Sequence, residues 1–291
     1  MERFLMLLAA LPMFAATPPH VFPPFRIISN VYYVGDEDLC SYLITTPKGD
    51  ILINTGYIFS VPEIQARMKI LGFKYSDIKI LLVTHAHSDH AAGMALVKKQ
   101  TGAKMMAMEQ EVPLLESGGK TDYLFGSSGW FDGVKVDRVF KDGDKIELGG
   151  TELTAHLTPG HTPGATSYSW DVVENAKTYH ILIANLANIN PGTVFLHNPK
   201  YPKIMQDYEH TFEVLKQLPC DVFLSSHAAA FALLRKWHPN LPYSPETFVD
   251  PENYYRAIAT TEASYYRHLD EEHEEEQAIR DHLHFKDVLP Q

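Results

Sequence analysis

The apolar positions in the first third of the chain form short runs separated by turn-forming residues. Residues 26–34 and 39–46 are rich in β-branched and aromatic side chains, and the turn-forming residues 47–50 lead into the apolar triplet 51–53. Runs of this composition, bounded by Gly and Pro, are typical of β-strands joined by tight turns. The pattern predicts an antiparallel meander.

Apolar residues then recur at helical spacing. A helix is predicted between Ser60 and Gly72, with Ser60 and Glu63 forming a capping box at its start. The apolar run at 78–83 predicts a buried strand, and residues 91–100 predict a second helix.

The second half of the chain repeats this mixture. Strands are predicted at residues 134–140, 145–148, 152–157, 166–170, 179–184 and 221–225. Helices are predicted where Asp207 caps an amphipathic segment, from Ala228 onward, and after Asp250. Strands interrupted by helices in both halves predict an α/β fold in which two sheets have helices outside them. No low-complexity linker divides the halves, so we expect one domain.

The first sixteen residues have the features of a secretory signal. An apolar run from Phe4 to Ala16 follows Arg3, and this run is too short to span a membrane as a helix. We expect residues 1–16 to be a signal peptide and residues 17–291 to form a periplasmic or secreted domain. No second long apolar run is present in the sequence, so we expect no membrane partner.

Charge and cysteine content narrow the class further. The chain has 25 basic and 36 acidic residues and a net charge of -11, which argues against a general nucleic-acid-binding protein. Much of the acidity lies in the segment 270–277, for which a solvated helix or tail is the simplest interpretation. Cys40 and Cys220 are too few for a disulfide framework, and the sequence leaves open whether they pair. It also leaves the oligomeric state open.

The clearest chemical signal is the sequence Thr-His-Ala-His-Ser-Asp-His at 84–90. It follows the predicted strand at 78–83 and precedes a helix. His85 and His87 are two residues apart, so in an extended backbone both imidazoles project to the same side and can bind one zinc ion. Asp89 and His90 lie where the chain turns, and a second, adjacent metal is the natural use for them.

Two distant histidines have a similar setting. His161 lies in a loop of sequence Pro-Gly-His-Thr-Pro-Gly, and His227 follows the predicted strand 221–225. Each lies at the end of a strand, as the first cluster does, and strand-end loops commonly carry functional groups. A lone histidine beside a strand is more often a structural or surface residue, so neither histidine would be a strong candidate by itself.

Together, His85-x-His87-x-Asp89-His90, the His161 loop and the distal His227 resemble the motifs of the metallo-β-lactamase superfamily. The resemblance covers roughly residues 25–270. It implies a four-layer αββα sandwich with a pair of zinc ions at its mouth. The superfamily includes β-lactamases, glyoxalase II, lactonases, phosphodiesterases and ribonucleases, so the fold alone does not define the substrate.

The resemblance also implies a subclass. Glyoxalase II and lactonase relatives usually carry a metal-bridging Asp, and subclass B1 and B2 β-lactamases a Cys, on the strand that corresponds to 181–187, where this chain has neither. Three ligands then remain for each zinc, as in subclass B3. One set is His85, His87 and His161, and the other is Asp89, His90 and His227.

The implied activity is opening of the β-lactam ring of antibiotics by a metal-bound hydroxide, which the catalytic residue Asp89 orients. Departures from the family pattern leave the small-molecule substrate range open. Asn54 replaces an Asp expected to support a metal-binding His, and Ala187, Ile189 and Thr193 replace substrate-contacting residues, with Asn188 and Asn190 as substitutes. An exported lactonase or thioesterase of the same fold is the alternative, and a non-catalytic zinc-binding protein is the third interpretation.

Overall fold

The computed structural model describes residues 22–288, so the predicted signal peptide at 1–16 lies outside the described residues. The strands are β1 (Phe25–Ile28), β2 (Val31–Tyr33), β3 (Tyr42–Thr46), β4 (Gly49–Ile53), β5 (Ile78–Leu82), β6 (Lys104–Met108), β7 (Arg138–Phe140), β8 (Lys145–Leu148), β9 (Thr151–Leu157), β10 (Thr166–Glu174), β11 (Lys177–Ala184) and β12 (Val222–Ser225). The α-helices are α1 (Val61–Ile70), α2 (Ser88–Ala91), α3 (Met94–Thr101), α4 (Val112–Ser117), α5 (Ile204–Gln217), α6 (Leu233–Lys236) and α7 (Pro251–Val288).

The strands form two mixed sheets. The first has the order β1-β2-β3-β4-β5-β6-β7, in which β1 to β4 pair antiparallel, as the predicted meander requires, and β4 to β7 pair parallel. The second has the order β12-β11-β10-β9-β8, with one parallel pair, between β11 and β12. Within the described residues, α/β composition and two sheets confirm the predicted fold class.

Strand periodicity separates two apolar cores. In β5, Ile80 and Leu82 join the core that lies between the sheets, whereas Leu81 joins a second core on the other face of the first sheet. That second core contains residues of α1 and α3, and the inter-sheet core extends to residues of α5 and α7. Since successive strand side chains point to opposite faces, both faces of the first sheet are covered. The layers are therefore αββα.

Two predicted helix caps are wrong. Helix α1 follows Ser60, but the Ser60 side chain makes no capping hydrogen bond, and Glu63 instead pairs with Arg67 at 2.9 Å. Helix α5 begins three residues before Asp207, whose carboxylate accepts a hydrogen bond from the Tyr201 hydroxyl at 2.8 Å. In both cases a nearby donor competes for the predicted capping group.

Two further features bear on the sequence predictions. Cys40 and Cys220 are buried free thiols, and burial raises the pKa of Cys40 to about 12. They are therefore not paired in this structure.

Among the residues that the structure describes, we found no helix that is both long and apolar enough to cross a membrane.

Candidate metal centre

All six predicted ligands lie at one mouth of the sandwich. Five of them line a single cleft of about 420 Å³, namely His85, His87, Asp89, His161 and His227. The sixth, His90, is fully buried directly beneath them, with its ring centroid 4.4 Å from that of His85. In the sequence these residues follow three separate strands, and the fold brings the ends of those strands together.

The ligand atoms form two compact groups. His85, His87 and His161 each offer an atom within 4.8 Å of the others, and so do His85, Asp89 and His90. His227 stands beside the second group, with Nε2 3.6 Å from Asp89 Oδ2. The residues proposed for each metal from the sequence are thus brought together, and His85 lies close to both groups.

Hydrogen bonds determine which nitrogen of three histidines is available. His161 Nδ1 donates to the carbonyl oxygen of Asn188 at 2.6 Å, which leaves Nε2 with a lone pair. His87 Nε2 donates to Asp122 Oδ2 at 3.1 Å, which leaves Nδ1. Both carboxylate and carbonyl accept only, so the proton must reside on the histidine nitrogen that faces them. This is the usual arrangement of metal-ligating histidines.

His227 follows the same rule. Its Nδ1 lies 3.3 Å from Asp38 Oδ1, and its Nε2 faces Asp89 in the cleft. The segment that carries Asp38 is held against His227 by a backbone bridge between Leu39 and His227. The orientation of this histidine therefore depends on residues far from it in the sequence.

His90 shows most directly that the site fits a metal. It is fully buried, and neither ring nitrogen makes a hydrogen bond of good geometry to a described residue, although Nε2 lies 3.1 Å from Asp89 Oδ2. Buried polar atoms are nearly always satisfied, and an orphaned one calls for a missing partner. A metal ion is the partner that the surrounding donor set, four imidazoles and a carboxylate, would hold.

The electrostatics keep the donors ready to bind a cation. Burial lowers the pKa of His161 to about 3, and burial followed by repulsion from neighbouring histidines lowers that of His85 well below its usual range. Burial alone would raise the pKa of Asp89, but the close approach of the His90 ring, with His227 and His87 nearby, outweighs it and holds this pKa well below its usual value. At neutral pH the site thus presents free imidazole lone pairs and a carboxylate.

A buried carboxylate joins the two loops that carry these ligands. Glu111 is 1% exposed and accepts hydrogen bonds from the backbone of Ala86, the hydroxyl of Thr162 and the backbone of Gly164. Ala86 separates the first two histidines, and Thr162 follows His161. Glu111 therefore fixes the distance between the two segments.

One glycine shapes the His161 loop. Gly160 has φ +121, and a Cβ there would lie 2.6 Å from the Tyr208 ring. Only glycine adopts this backbone at no cost and leaves room for the ring. The close approach explains part of the Pro-Gly-His-Thr-Pro-Gly sequence.

Two asparagines lie beside the first histidine. Asn54 does not support a candidate ligand directly, contrary to the expectation from the sequence. Its Oδ1 accepts the backbone N–H of Thr84 at 2.9 Å, so it fixes the chain one residue before His85. Asn185 is 4% exposed, and its Nδ2 lies 3.1 Å from His85 Nδ1. A neutral amide thus stands at the end of β11, where the sequence offers no acid.

The segments 119–129 and 185–190 form two walls of the cleft. Asn188 and Asn190 line it, as their proposed role as substitute polar groups requires, whereas Thr193 is buried outside the lining. Trp130 and Phe131 line an adjoining groove of about 650 Å³ that shares Tyr57 with the cleft. Trp130 is 54% exposed, so it faces solvent rather than the core.

Sequence reasoning missed three residues of this site: Asp38, Glu111 and Asp122. The Gly118–Gly119 pair carried a usable signal for Asp122. Both glycines have positive φ, and a Cβ on Gly118 would lie 2.1 Å from the Phe131 carbonyl oxygen. Such a pair marks a tight turn, and this one returns the chain so that Asp122 meets His87.

Comparison with known proteins agrees with this geometry. Residues 40–174 match the metallo-beta-lactamase superfamily. The native FEZ-1 metallo-beta-lactamase from Legionella gormanii is 46% identical, with a TM-score of 0.80 over 90% of this chain and 98% of that chain. The class B3 di-zinc metallo-beta-lactamase LRA-12 from an Alaskan soil metagenome is 40% identical, with a TM-score of 0.83 over 87% and 98%. The chain belongs to the metallo-β-lactamase superfamily of hydrolases, and its structural neighbours are subclass B3 enzymes.

Curated relatives match over shorter segments. A probable metallo-hydrolase of Burkholderia pseudomallei is 32% identical over 123 residues, which are 42% of this chain and 39% of that protein. A hydroxyacylglutathione hydrolase of Hyphomonas neptunium is 33% identical over 93 residues, 32% of this chain and 29% of that protein. The matched segments thus span well under half the length of these relatives.

Proposed function

We propose that this chain is a zinc-dependent β-lactamase of the B3 type that binds two zinc ions. The observation that carries the proposal is the grouping of six ligand-type side chains at one cleft, which are enough to give each of two ions three ligands. His85, His87 and His161 would hold one zinc, and Asp89, His90 and His227 would hold the other. Three protein ligands per zinc leave a position open, which is typical of catalytic rather than structural zinc sites.

Bound zinc would supply Lewis acidity and lower the pKa of a water molecule from 15.7 to about 7. The side chains of the protein would position the water and the substrate. Asp89 is the partly exposed acid of the set, 24% exposed at its side chain, and it lines the cleft. Its carboxylate can accept a hydrogen bond from the attacking water and orient it toward the substrate carbonyl.

The remaining lining residues would bind the substrate. Asn188 and Asn190 present polar side chains on one wall, and amide N–H groups can donate hydrogen bonds to a carboxylate or to a developing oxyanion. The adjoining groove, with Tyr57, Trp130 and Phe131, offers an apolar surface for a side chain of the antibiotic.

A hydrolase for glutathione thioesters is the second candidate, and the curated relatives favour it. Asn185 counts against it. Lactonase and glyoxalase II relatives usually bridge their metals with an acid, and the neutral amide at the end of β11 brings no charge to that point. The solved B3 enzymes match this chain at higher sequence identity and over more of its length, and this supports a β-lactam substrate.

Replacing Asp89 tests the chemistry. We expect Asp89→Ala to lower kcat for a cephalosporin by at least about 100-fold and to reduce the bound zinc, because the variant loses both a ligand and the group that orients water. Asp270→Ala, an exposed acid on α7, is the matched control and should behave as wild type. Full activity of Asp89→Ala would contradict the mechanism.

The two candidates are separated by measuring both substrates. The wild-type protein should hydrolyse a cephalosporin with a kcat/KM at least about 100-fold above that for a hydroxyacylglutathione thioester, a discrimination that a polar, substrate-specific site can provide. A kcat/KM that is higher for the thioester than for the cephalosporin would contradict the β-lactamase proposal and favour a thioesterase.

We propose in addition that the chain is exported to a periplasm or secreted, with residues 1–16 as the signal peptide. The support is the apolar run from Phe4 to Ala16. Cell fractionation and N-terminal sequencing of the product test this, and an intact residue 1 on a cytoplasmic product would contradict it.

A further inference from the structure

The acidic segment near the C-terminus includes one side chain that is not solvated. Glu272 lies on α7, and its side chain is 15% exposed. Its carboxylate accepts hydrogen bonds from the backbone N–H groups of Phe195, at 2.8 Å, and Leu196, at 2.7 Å. The neighbouring Glu271 and Glu274 are exposed. The expectation of a solvated acidic helix therefore holds for most of the segment and is wrong for Glu272.

Residues one and two helical turns before Glu272 strengthen the same contact. His268 Nε2 lies 3.1 Å from the carbonyl oxygen of Thr193 and 3.5 Å from Glu272. The Phe195 ring is 2% exposed and packs edge-on against Tyr265 of the same helix, at 4.9 Å between ring centroids. Helix α7 thus holds residues 193–196 through contacts of Glu272 and His268 side chains with the loop backbone, and through an aromatic contact of Tyr265.

The segment that α7 holds belongs to a wall of the candidate metal centre. The loop 187–203 lies between β11 and α5, and Asn188 and Asn190 on it line the cleft. The backbone carbonyl of Asn188 is also the acceptor that fixes the His161 imidazole. A shift of the loop would change both the polar wall and the support of a candidate ligand.

We propose that Glu272 is a positioning residue that holds the loop 187–203 in place for substrate binding. This inference rests on the proposed hydrolase function, because the loop matters for activity only if the cleft is the active site. The carboxylate does not contact the cleft and acts through the backbone of Phe195 and Leu196. Hydrogen bonds from two N–H groups to one ionised group are among the stronger polar contacts in proteins, so loss of the carboxylate should release the loop.

Three variants of the full chain test the proposal. Glu272→Ala removes both acceptor oxygens, Glu272→Gln keeps the size and one acceptor, and Glu274→Gln changes an exposed acid on the same helix as the matched control. Hydrogen exchange of peptides covering 187–203, steady-state kinetics with a cephalosporin and zinc titration are measured for each. Folding is checked by circular dichroism, and the Gln variant serves if the Ala variant is unfolded.

We expect Glu272→Ala to speed amide exchange at residues 193–197 by about tenfold, since each charged hydrogen bond that is lost releases the local structure. KM should rise by about 3- to 10-fold while kcat stays within about twofold, because a displaced wall weakens binding more than chemistry. The exchange rate and KM of Glu272→Gln should lie between those of wild type and Glu272→Ala, and Glu274→Gln should match wild type in both.

Unchanged exchange in Glu272→Ala would overturn the proposal, and so would faster exchange with unchanged KM. If the wild-type protein hydrolyses no β-lactam, the proposed function fails, and zinc affinity then replaces KM as the readout. Faster exchange with a weaker zinc affinity of Glu272→Ala would then support the role of the loop in holding His161, and an unchanged affinity would overturn it.

Discussion

At His87, His161 and His227 the position of one proton decides which ring nitrogen can bind a metal. The acceptors that hold this proton are Asp122, the carbonyl oxygen of Asn188 and Asp38, which lie 35, 27 and 189 residues away in the sequence. Each acceptor orients a ring as well as fixing its tautomer. The ligand motif alone therefore does not define the site.

Asp122 offers a clean test of this argument. Asp122→Asn keeps the shape of the side chain and an oxygen for the backbone N–H groups of Leu124 and Phe125, but its amide would donate toward His87 Nε2. His87 would then hold its proton on Nδ1, the nitrogen needed for the metal. We expect zinc affinity to fall by about 10- to 100-fold, the usual cost of losing such a partner.

The measurement is a zinc titration against a chromogenic chelator. Asp132→Asn, an exposed acid in the same loop, is the control and should retain wild-type affinity. An Asp122→Asn variant that binds both metals as tightly as wild type would show that the carboxylate does not select the tautomer.

At the scale of elements, the site depends on loops at strand ends that are held by a few buried polar groups. Glu111 lies just before α4 and joins the loop that follows β5 to the loop that precedes β10. Because these loops carry His85, His87 and His161, the geometry of one ligand set depends on a residue that is not a ligand.

Removal of Glu111 should affect stability and activity together. Glu111→Ala would leave two backbone N–H groups and a hydroxyl buried without acceptors, and we expect the free energy of unfolding to fall by about 2–4 kcal/mol. Urea denaturation measures this loss. Glu109→Ala, an exposed residue two positions earlier, should stay within about 0.5 kcal/mol of wild type. Equal stabilities would show that the loops hold each other without the carboxylate.

Where the signal is local and dense, the sequence predicted the elements and the clustering of the candidate ligands. Four ligand-type residues within 85–90 need no distant information, and apolar runs such as 78–83 correspond directly to strands. Predictions failed where a tertiary contact competed with a local rule. Glu63 does not complete a capping box because the buried Arg67 guanidinium, which also donates to backbone carbonyls of Phe22 and Val34, pairs with it.

The supporting residues could not be predicted because nothing local distinguishes them. The chain has 36 acidic residues, and Asp122 and Glu272 differ from the others only in what the fold brings to them. A backbone carbonyl such as that of Asn188 leaves no signal in the sequence at all. Glycines at positions that require a positive φ, such as Gly118, are the best local signal in the sequence for a turn that brings a supporting residue to the site.

At the scale of the whole molecule, the αββα sandwich brings the ends of β5, β9 and β12 to one edge, where the ligands meet. The same scaffold hosts many hydrolases, so the fold does not choose the substrate. Under the proposed function, Asn185 and the loop 187–203 are the positions that favour a β-lactam.

Zinc-dependent hydrolysis of a chromogenic cephalosporin by the chain without residues 1–16 tests the central claim most directly. The protein is assayed as purified, after chelation and after zinc is restored, with bound zinc counted in each state. We predict about two zinc ions per chain and turnover that disappears on chelation and returns with zinc. Two bound zinc ions without turnover would contradict the β-lactamase assignment, and turnover that survives complete zinc removal would contradict the metal mechanism.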